Sequence, residues 1–339
     1  MAATYGTHDH STANRAAGRL LVIPDDDPPV MSDSAALLRL KMSPGVRVEV
    51  HTGRPGGEAD LARRIARSDA VIGVRSATQF TRAVLSRAPG LRLLVIMGEP
   101  AENVDLEYAG QRQITVLGTP GTGADSTAEH SIALMLALAR KIPELDQRVR
   151  AGEWPRGLVE QLGGKVLGII GTSPAGRKVA RLAMGIGMNV VTWSPDAHAS
   201  EAQPVELDRL LQTADVISVH ARLTEAAGKL IGAEHFAHMK PTALFIHTER
   251  AGLVDEGALA HALSSQQIAG AAIDVFTQEP PVSGSPLRYL PNVILSPHTG
   301  ASTAEALEAS LNSVVDVALR ALAAEAQEPV SSERRKGAG

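Results

Sequence analysis

The feature that most constrains this chain is a recurrence of short apolar runs, many of them separated by stretches of helical periodicity. Leu20–Ile23, Val46–Val50, Ala70–Val74, Leu91–Met97 and Ile114–Leu117 form a first set. Val166–Ile170, Val190–Trp193, Val216–Val219, Ala243–Ile246, Ile268–Ile273 and Val293–Leu295 form a second. A continuously apolar run suits a strand buried on both faces, and its alternation with helices calls for parallel sheets covered on both sides. Val46–Val50 instead alternates apolar with charged residues, which suits an edge or half-exposed strand. Eleven strands would overfill one open sheet, so the sequence predicts an α/β chain of two doubly wound domains. A length of 339 residues is enough for two ordinary cores.

The second set opens with GKVLGIIGTSPAGRKVARLAMGIGMNVVTWSPD, Gly164 to Asp196. A strand breaks at Gly171, Gly176 follows in the same turn, and a helical pattern from Arg177 places Val179, Leu182, Ala183 and Ile186 on one side. This is a βαβ unit of the dinucleotide-binding kind, whose turn leaves amide N–H groups at a helix N-terminus for a pyrophosphate. Its candidate cofactor contacts are Gly171, Thr172, Ser173, Pro174, Ala175 and Gly176. The fingerprint is incomplete. Ser173 stands at the second glycine, where a Cβ costs close approach or forces a shift, and Pro174 withdraws one N–H. Ser194 replaces the acid that would hold a ribose 2′-hydroxyl, and Asp196 comes two residues late. Taken alone, two glycines in a βα turn are a weak signal.

A net charge of −4 gives no electrostatic reason to expect nucleic acid or a membrane as partner. The absence of cysteine excludes disulfides, thiolate chemistry and Cys-ligated metals, and no metal site is expected. Residues 1–17, with His8 and His10, lack the apolar core of a secretory signal and are expected to be a disordered tail. The longest apolar stretch, Ile132–Ala139, is far too short to span a bilayer, so a soluble cytoplasmic protein is expected. Between the two sets, Gly118–Gly123 reads as a connector containing Pro120. Ser126 with Glu129 forms a capping box opening a long helix, apolar nearly all round, to be buried against the next domain or another subunit. A second box, Ser302 with Glu305, opens the last helix, whose stripe is Leu307, Leu311, Val314, Val315, Leu319 and Leu322. Residues 327–339 are expected to be a second disordered tail.

Binding crevices of doubly wound sheets lie at the carboxyl ends of strands. In the second set those ends carry His247, Glu249 and Arg250, then Asp274 and Glu279, then His298. Arg250 offers a planar fork for a carboxylate and a neighbouring carbonyl oxygen. His298 can exchange a proton near neutral pH, and Glu279 can orient its ring. The three together suit redox chemistry on a 2-oxo acid, for which a nicotinamide must supply the hydride. Each also has a bland reading: Arg250 as a surface charge, His298 as a donor to a loop carbonyl, Glu279 as a solvated turn residue.

The segments VRSATQFT, GTPGTGADSTAEHSIALMLALAR, MKPTALFIHTERAGLVDEGAL, GAAIDVFTQEPP and LPNVILSPHTGAST occur in one order over roughly Leu20 to Leu322. On these the chain resembles the D-isomer-specific 2-hydroxyacid dehydrogenases, a family that includes phosphoglycerate dehydrogenases and glyoxylate/hydroxypyruvate reductases. The resemblance implies a catalytic Arg250, Glu279 and His298, with Asp274 near the nicotinamide of NAD(H) or NADP(H), preference unresolved. It implies substrate contacts from Arg75, Ser76, Gly98, Glu99 and Arg250 to a small 2-oxo or 2-hydroxy acid. It implies a Rossmann dinucleotide-binding domain over 122–299 and a smaller, discontinuous flavodoxin-like substrate domain over 18–121 plus 300–326. A homodimer built on the long helix of the nucleotide-binding domain is also implied. His247 and Glu249 depart from the family's usual asparagine and small residue, Ala251 from its glycine, and Pro100 interrupts its Gly-rich substrate loop. Those departures put the substrate in question, and the altered turn at Ser173 favours the alternative, a nucleotide-binding sensor or corepressor, or an inactive homologue on the same scaffold.

Overall fold

Residues 18–75, 77–100, 103–119, 121–194, 202–221 and 229–327 are described by this computed structural model. Ser76, Pro120, Asp196, residues 1–17 and residues 328–339 lie outside them. The chain divides into two compact units, one running to Thr122 and resuming at Leu307, the other Gly123–Ala306.

In the first unit β1 (Arg19–Ile23), α1 (Ala35–Lys41), β2 (Val46–Val50), α2 (Glu58–Ile65) and β3 (Ala70–Gly73) alternate. They continue as α3 (Arg82–Leu85), β4 (Leu93–Ile96), α4 (Leu106–Gln111) and β5 (Thr115–Gly118). The strands are all parallel, in the order β2-β1-β3-β4-β5, which is the flavodoxin-like winding. As its alternation suggested, β2 is an edge strand with every second residue exposed.

The second unit begins with α5 (Ala124–Ala139), α6 (Ile142–Arg150), β6 (Val166–Ile170), α7 (Pro174–Gly185) and β7 (Asn189–Trp193). After them come β8 (Gln203–Pro204), α8 (Leu207–Thr213), β9 (Val216–Val219), α9 (Ala233–Ala237) and β10 (Leu244–His247). It closes with α10 (Glu256–Ser264), β11 (Gly270–Ile273) and β12 (Val293–Leu295). Seven parallel strands in the order β12-β11-β10-β9-β6-β7-β8 give a Rossmann winding extended by one strand. Successive residues feed opposite faces: Phe245 packs with Phe236 and Ile217, whereas Leu244 and Ile246 pack with Met135 and Val179. The edge strand β8 was not anticipated, since two residues ending in proline carry no apolar run.

The last helix, α11 (Ala304–Gln327), starts in the second unit and passes into the first. Leu311, Val314, Val315, Ala318 and Leu322 join one core with Leu21, Ile23, Leu37 and Leu40. Arg39 pairs with Asp316 at 3.0 Å, and Arg19 Nη1 donates to the carbonyl of Leu322 at 2.9 Å.

Both expected capping boxes are displaced. The N-cap of α5 is Gly123, and Ser126 lies inside the helix with its Oγ 2.8 Å from Thr303 Oγ1. At Gly123 a Cβ would stand 2.6 Å from the Cβ of Ala301, so the helix starts on a residue that has no room for a side chain. Thr303, one residue past Ser302, caps α11 by accepting from the amide of Ala306 at 3.2 Å. Helix α7 begins at Pro174 rather than Arg177, with Ser173 as N-cap. Its buried face is Ala175, Gly176, Val179, Ala180 and Ala183, while Leu182 and Ile186, expected inside, are 41% and 39% exposed.

Candidate active site

In the second unit the winding reverses between β6 and β9, and the crevice of such a sheet opens over the carboxyl ends of those two strands. Gly171 directly follows β6 with φ +96, and a Cβ there would lie 2.2 Å from the backbone nitrogen of Ala221. At Gly176 a Cβ would lie 2.7 Å from the carbonyl of Gly171 and 2.8 Å from the Cβ of His220. Both glycines are therefore required where turn and strand end meet. Ser173 sits at φ −57, ψ 165, an ordinary conformation, so a serine here brings no backbone strain. It acts differently: its Oγ accepts from the amide of Gly176 at 3.2 Å and so occupies one donor of the turn.

Among the described residues, the amides of Thr172, Ser173 and Ala175 find no hydrogen-bond acceptor, and Thr172 Oγ1 is buried without a partner. Three amides and an orphaned hydroxyl at a helix N-terminus fit an anionic pyrophosphate. Arg177 Nη1 donates to the carbonyl of Thr172 at 2.6 Å and holds the turn from behind. Ser194 directly follows β7.

Strands β10, β11 and β12 are adjacent and end level, with His247 opposite Ile273 and Ile273 opposite Leu295. Their loops deliver Arg250, Asp274 with Glu279, and His298 to one edge. Arg250 is exposed at the start of a 3₁₀ turn, Ala251–Leu253. Glu279 Oε1 accepts from the amide of Phe276 at 3.1 Å, and its Oε2 lies 2.8 Å from His298 Nδ1. With Nδ1 donating to the carboxylate, Nε2 is the ring nitrogen left to exchange a proton. His298 itself has φ +55, the left-handed region that a histidine enters at some cost. Asp274, 1% exposed, holds the next two residues, accepting from the amide of Thr299 at 2.9 Å and of Gly300 at 2.8 Å. Its Oδ1 also lies 3.3 Å from His130 Nε2.

His220, directly after β9, and His247, the last residue of β10, are buried, 0% and 2% exposed. His220 Nε2 is 2.8 Å from Ser218 Oγ, and its Nδ1 is 3.9 Å from Glu249 Oε1, outside hydrogen-bond reach. Burial, and then the neighbouring His220, push the His247 imidazole down to about 3, so it is neutral in the physiological range.

In the first unit Arg75 follows β3, and Gly98 and Glu99 follow the neighbouring β4. Arg75 Nη2 donates to the carbonyl of Pro28, while its Nε is buried without a partner. Gly98 has φ +120, Glu99 is exposed, and Pro100 packs where a Cβ on Gly118 would meet it at 2.5 Å.

Sequence reasoning did not pick out His130 and Ser131 of α5, which contact the loops of the candidate triad, Ser131 through Thr248. The available signal was a pair of polar residues at the head of the apolar run of α5. No helix among the described residues is long and apolar enough to cross a membrane, and no cluster of three metal-ligating side chains occurs among them.

The family model described as "D-isomer specific 2-hydroxyacid dehydrogenase, NAD binding domain" matches residues 132–300. The chain is 33% identical to the TT0316 protein of Thermus thermophilus, covering 92% of this chain and 98% of that one with a TM-score of 0.79. An acyclic imino acid reductase solved with NADPH and D-Arg superposes with a TM-score of 0.80 at 25% identity, over 92% of this chain and 98% of that one. Among curated proteins, D-3-phosphoglycerate dehydrogenase of Archaeoglobus fulgidus is 39% identical over 77% of this chain and 50% of its own length. The protein of the same name from Methanocaldococcus jannaschii is 38% identical over 84% and 55%. The chain belongs to the D-isomer specific 2-hydroxyacid dehydrogenase family. It spans about half the length of the curated relatives it matches.

Proposed function

We propose that this chain is an oxidoreductase moving a hydride between NAD(H) or NADP(H) and a small 2-hydroxy or 2-oxo acid. The observation that carries the proposal is the 2.8 Å pair of His298 Nδ1 and Glu279 Oε2, which joins the loops after β12 and β11 beside the β10 loop that bears Arg250. A bound nicotinamide supplies or takes up the hydride. Arg250 binds the substrate carboxylate and polarises the carbonyl through its fork. His298 Nε2 gives its proton to the forming alkoxide in reduction and recovers it in oxidation, while Glu279 holds the ring and favours its cationic form.

The amides of Thr172, Ser173 and Ala175 hold the pyrophosphate, with Gly171, Pro174 and Gly176 shaping the turn, and Ser194 and Asp274 line the rest of the cofactor site. Ser194 brings no carboxylate to repel a 2′-phosphate, so both cofactor forms are admitted. Arg75, Ser76, Gly98 and Glu99 belong to the substrate domain, read as 18–121 plus 300–326, and 122–299 to the nucleotide-binding domain. The curated relatives' names support a 2-hydroxy acid as substrate.

The same reading includes a cytoplasmic homodimer formed through the nucleotide-binding domain, with no nucleic acid or membrane partner. In support, α6 has no buried residue and exposes Ile142 and Val149, with Trp154 just beyond it 76% exposed.

Oxidation of NADH and NADPH by a panel of 2-oxo acids tests the function. His298→Ala should lower turnover by about 10²–10⁴-fold with nucleotide binding nearly intact. Arg250→Lys, which keeps charge but loses the fork, should impair both kcat and apparent substrate affinity. Wild-type rates in these variants and in Glu279→Gln would move the chemistry elsewhere. Nucleotide binding with no turnover of any 2-oxo acid would favour the sensor alternative.

A further inference from the structure

We propose that His130 and Ser131 are positioning residues: one turn of α5 braces both the loop carrying Arg250 and the loop carrying His298, fixing their spacing. The inference rests on the reaction proposed above for that pair.

Ser131 is fully buried, and its Oγ donates to the carbonyl of Thr127 at 2.7 Å. A hydroxyl has one proton, so in the 2.8 Å contact with Thr248 Oγ1 the threonine is the donor. Thr248 is buried and lies two residues before Arg250. The start of the arginine loop is thereby tied to α5.

His130, one residue earlier, reaches the other loop. Its Nε2 is 3.1 Å from Ser296 Oγ and 3.3 Å from Asp274 Oδ1. Ser296 Oγ is in turn 3.0 Å from Thr299 Oγ1, and Asp274 accepts from the amides of Thr299 and Gly300. Residues on both sides of His298 are thus held, while His298 alone takes the left-handed conformation at φ +55. Gly300 closes the arrangement: a Cβ there would stand 3.0 Å from Asp274 Oδ2, 3.6 Å from His130 Cδ2 and 3.8 Å from Thr127 Cγ2. Thr127, His130 and Ser131 stand at i, i+3 and i+4, one face of one helix.

Misplacing a reacting group by about 1 Å costs on the order of a hundredfold in rate. A rigid helix touching both loops is a direct way to hold that spacing, and neither side chain needs to meet the substrate.

The test uses the full chain with His130→Leu, Ser131→Ala and the conservative His130→Gln. His130→Leu should lower kcat by about ten- to a hundredfold, with substrate KM and NADH affinity changed less than about threefold. His130→Gln, which keeps a donor near Nε2, should recover most of the rate. In a His298→Ala background, His130→Leu should cost nothing further, since the group it positions is gone. A loss of equal size in both backgrounds would mean a merely structural residue and overturns the proposal.

Side-chain NMR signals of the His298 ring and the Arg250 guanidinium provide a readout independent of turnover. They should move in His130→Leu and Ser131→Ala respectively, and unmoved signals overturn the brace. If the wild type reduces no 2-oxo acid, the proposed reaction fails, and these signals alone decide the brace.

Discussion

His247 ends a strand whose four residues are all buried, and its ring, set against the backbone of Arg250, meets no side-chain hydrogen-bond partner. It must stay neutral in the folded chain, with its titration near 3 against an ordinary value of 6.5. Between those limits the unfolded chain binds a proton that the folded chain does not, so stability rises with pH across this window. The contribution is complete above about 6.5 and is lost as pH falls toward 3. By pH 5 the loss amounts to about 2 kcal/mol. His247→Asn should therefore show a visibly shallower fall in Tm between pH 7 and pH 5 than the wild type, measured by calorimetry. Equal falls would mean that the ring is hydrated or paired in solution. The sequence marked His247 as a strand-end histidine, but whether such a ring is buried neutral or active depends on what covers it. Here Phe245, two residues back along the strand, lies near it, with ring centroids 6.5 Å apart.

Among the elements, strands were more legible than helix starts. A run such as Val166–Ile170 or Val216–Val219 is apolar because both faces are covered, so its limits appear in the residues themselves. A cap depends on which neighbour claims the hydroxyl: Thr303 claims Ser126, and Gly123 starts the helix in its place. The candidate site divides in the same way. Arg250, Glu279 and His298 were findable as polar residues at strand ends, whereas His130 and Ser131 merge into an apolar helix until their contacts are known. The start of α7 shows how a cap can trade against a ligand. Ser173→Gly removes the hydroxyl that occupies the Gly176 amide, at a stability cost of only a few tenths of a kcal/mol. Nucleotide affinity should rise about fivefold, as one amide donor returns to the turn and one Cβ is removed, an effect of about 1 kcal/mol. Calorimetry with NADH and NADPH on both forms checks this, and unchanged affinity would show that the pyrophosphate does not use this amide.

At the scale of the whole molecule, the two units differ in how the chain builds them. Gly123–Ala306 is one continuous segment, whereas the first unit needs α11, which arrives after the entire second unit. Leu311, Val314, Val315 and Leu322 are 0–6% exposed within that first core. At roughly 1.5–3 kcal/mol for each large apolar side chain, their loss is comparable to the 5–15 kcal/mol that typically stabilises a domain. A chain ended after Ala306 should keep amide-exchange protection in β6–β12 and lose it in β1–β5, and retained protection in β1–β5 would contradict this account. The discontinuity also bears on synthesis. At 5–20 residues per second, the ribosome takes roughly ten to forty seconds to travel from the end of β5 to the end of α11. For that interval the nascent first unit presents Leu37 and Leu40 without their cover, a natural landing place for a chaperone, while the segment behind it is free to fold first.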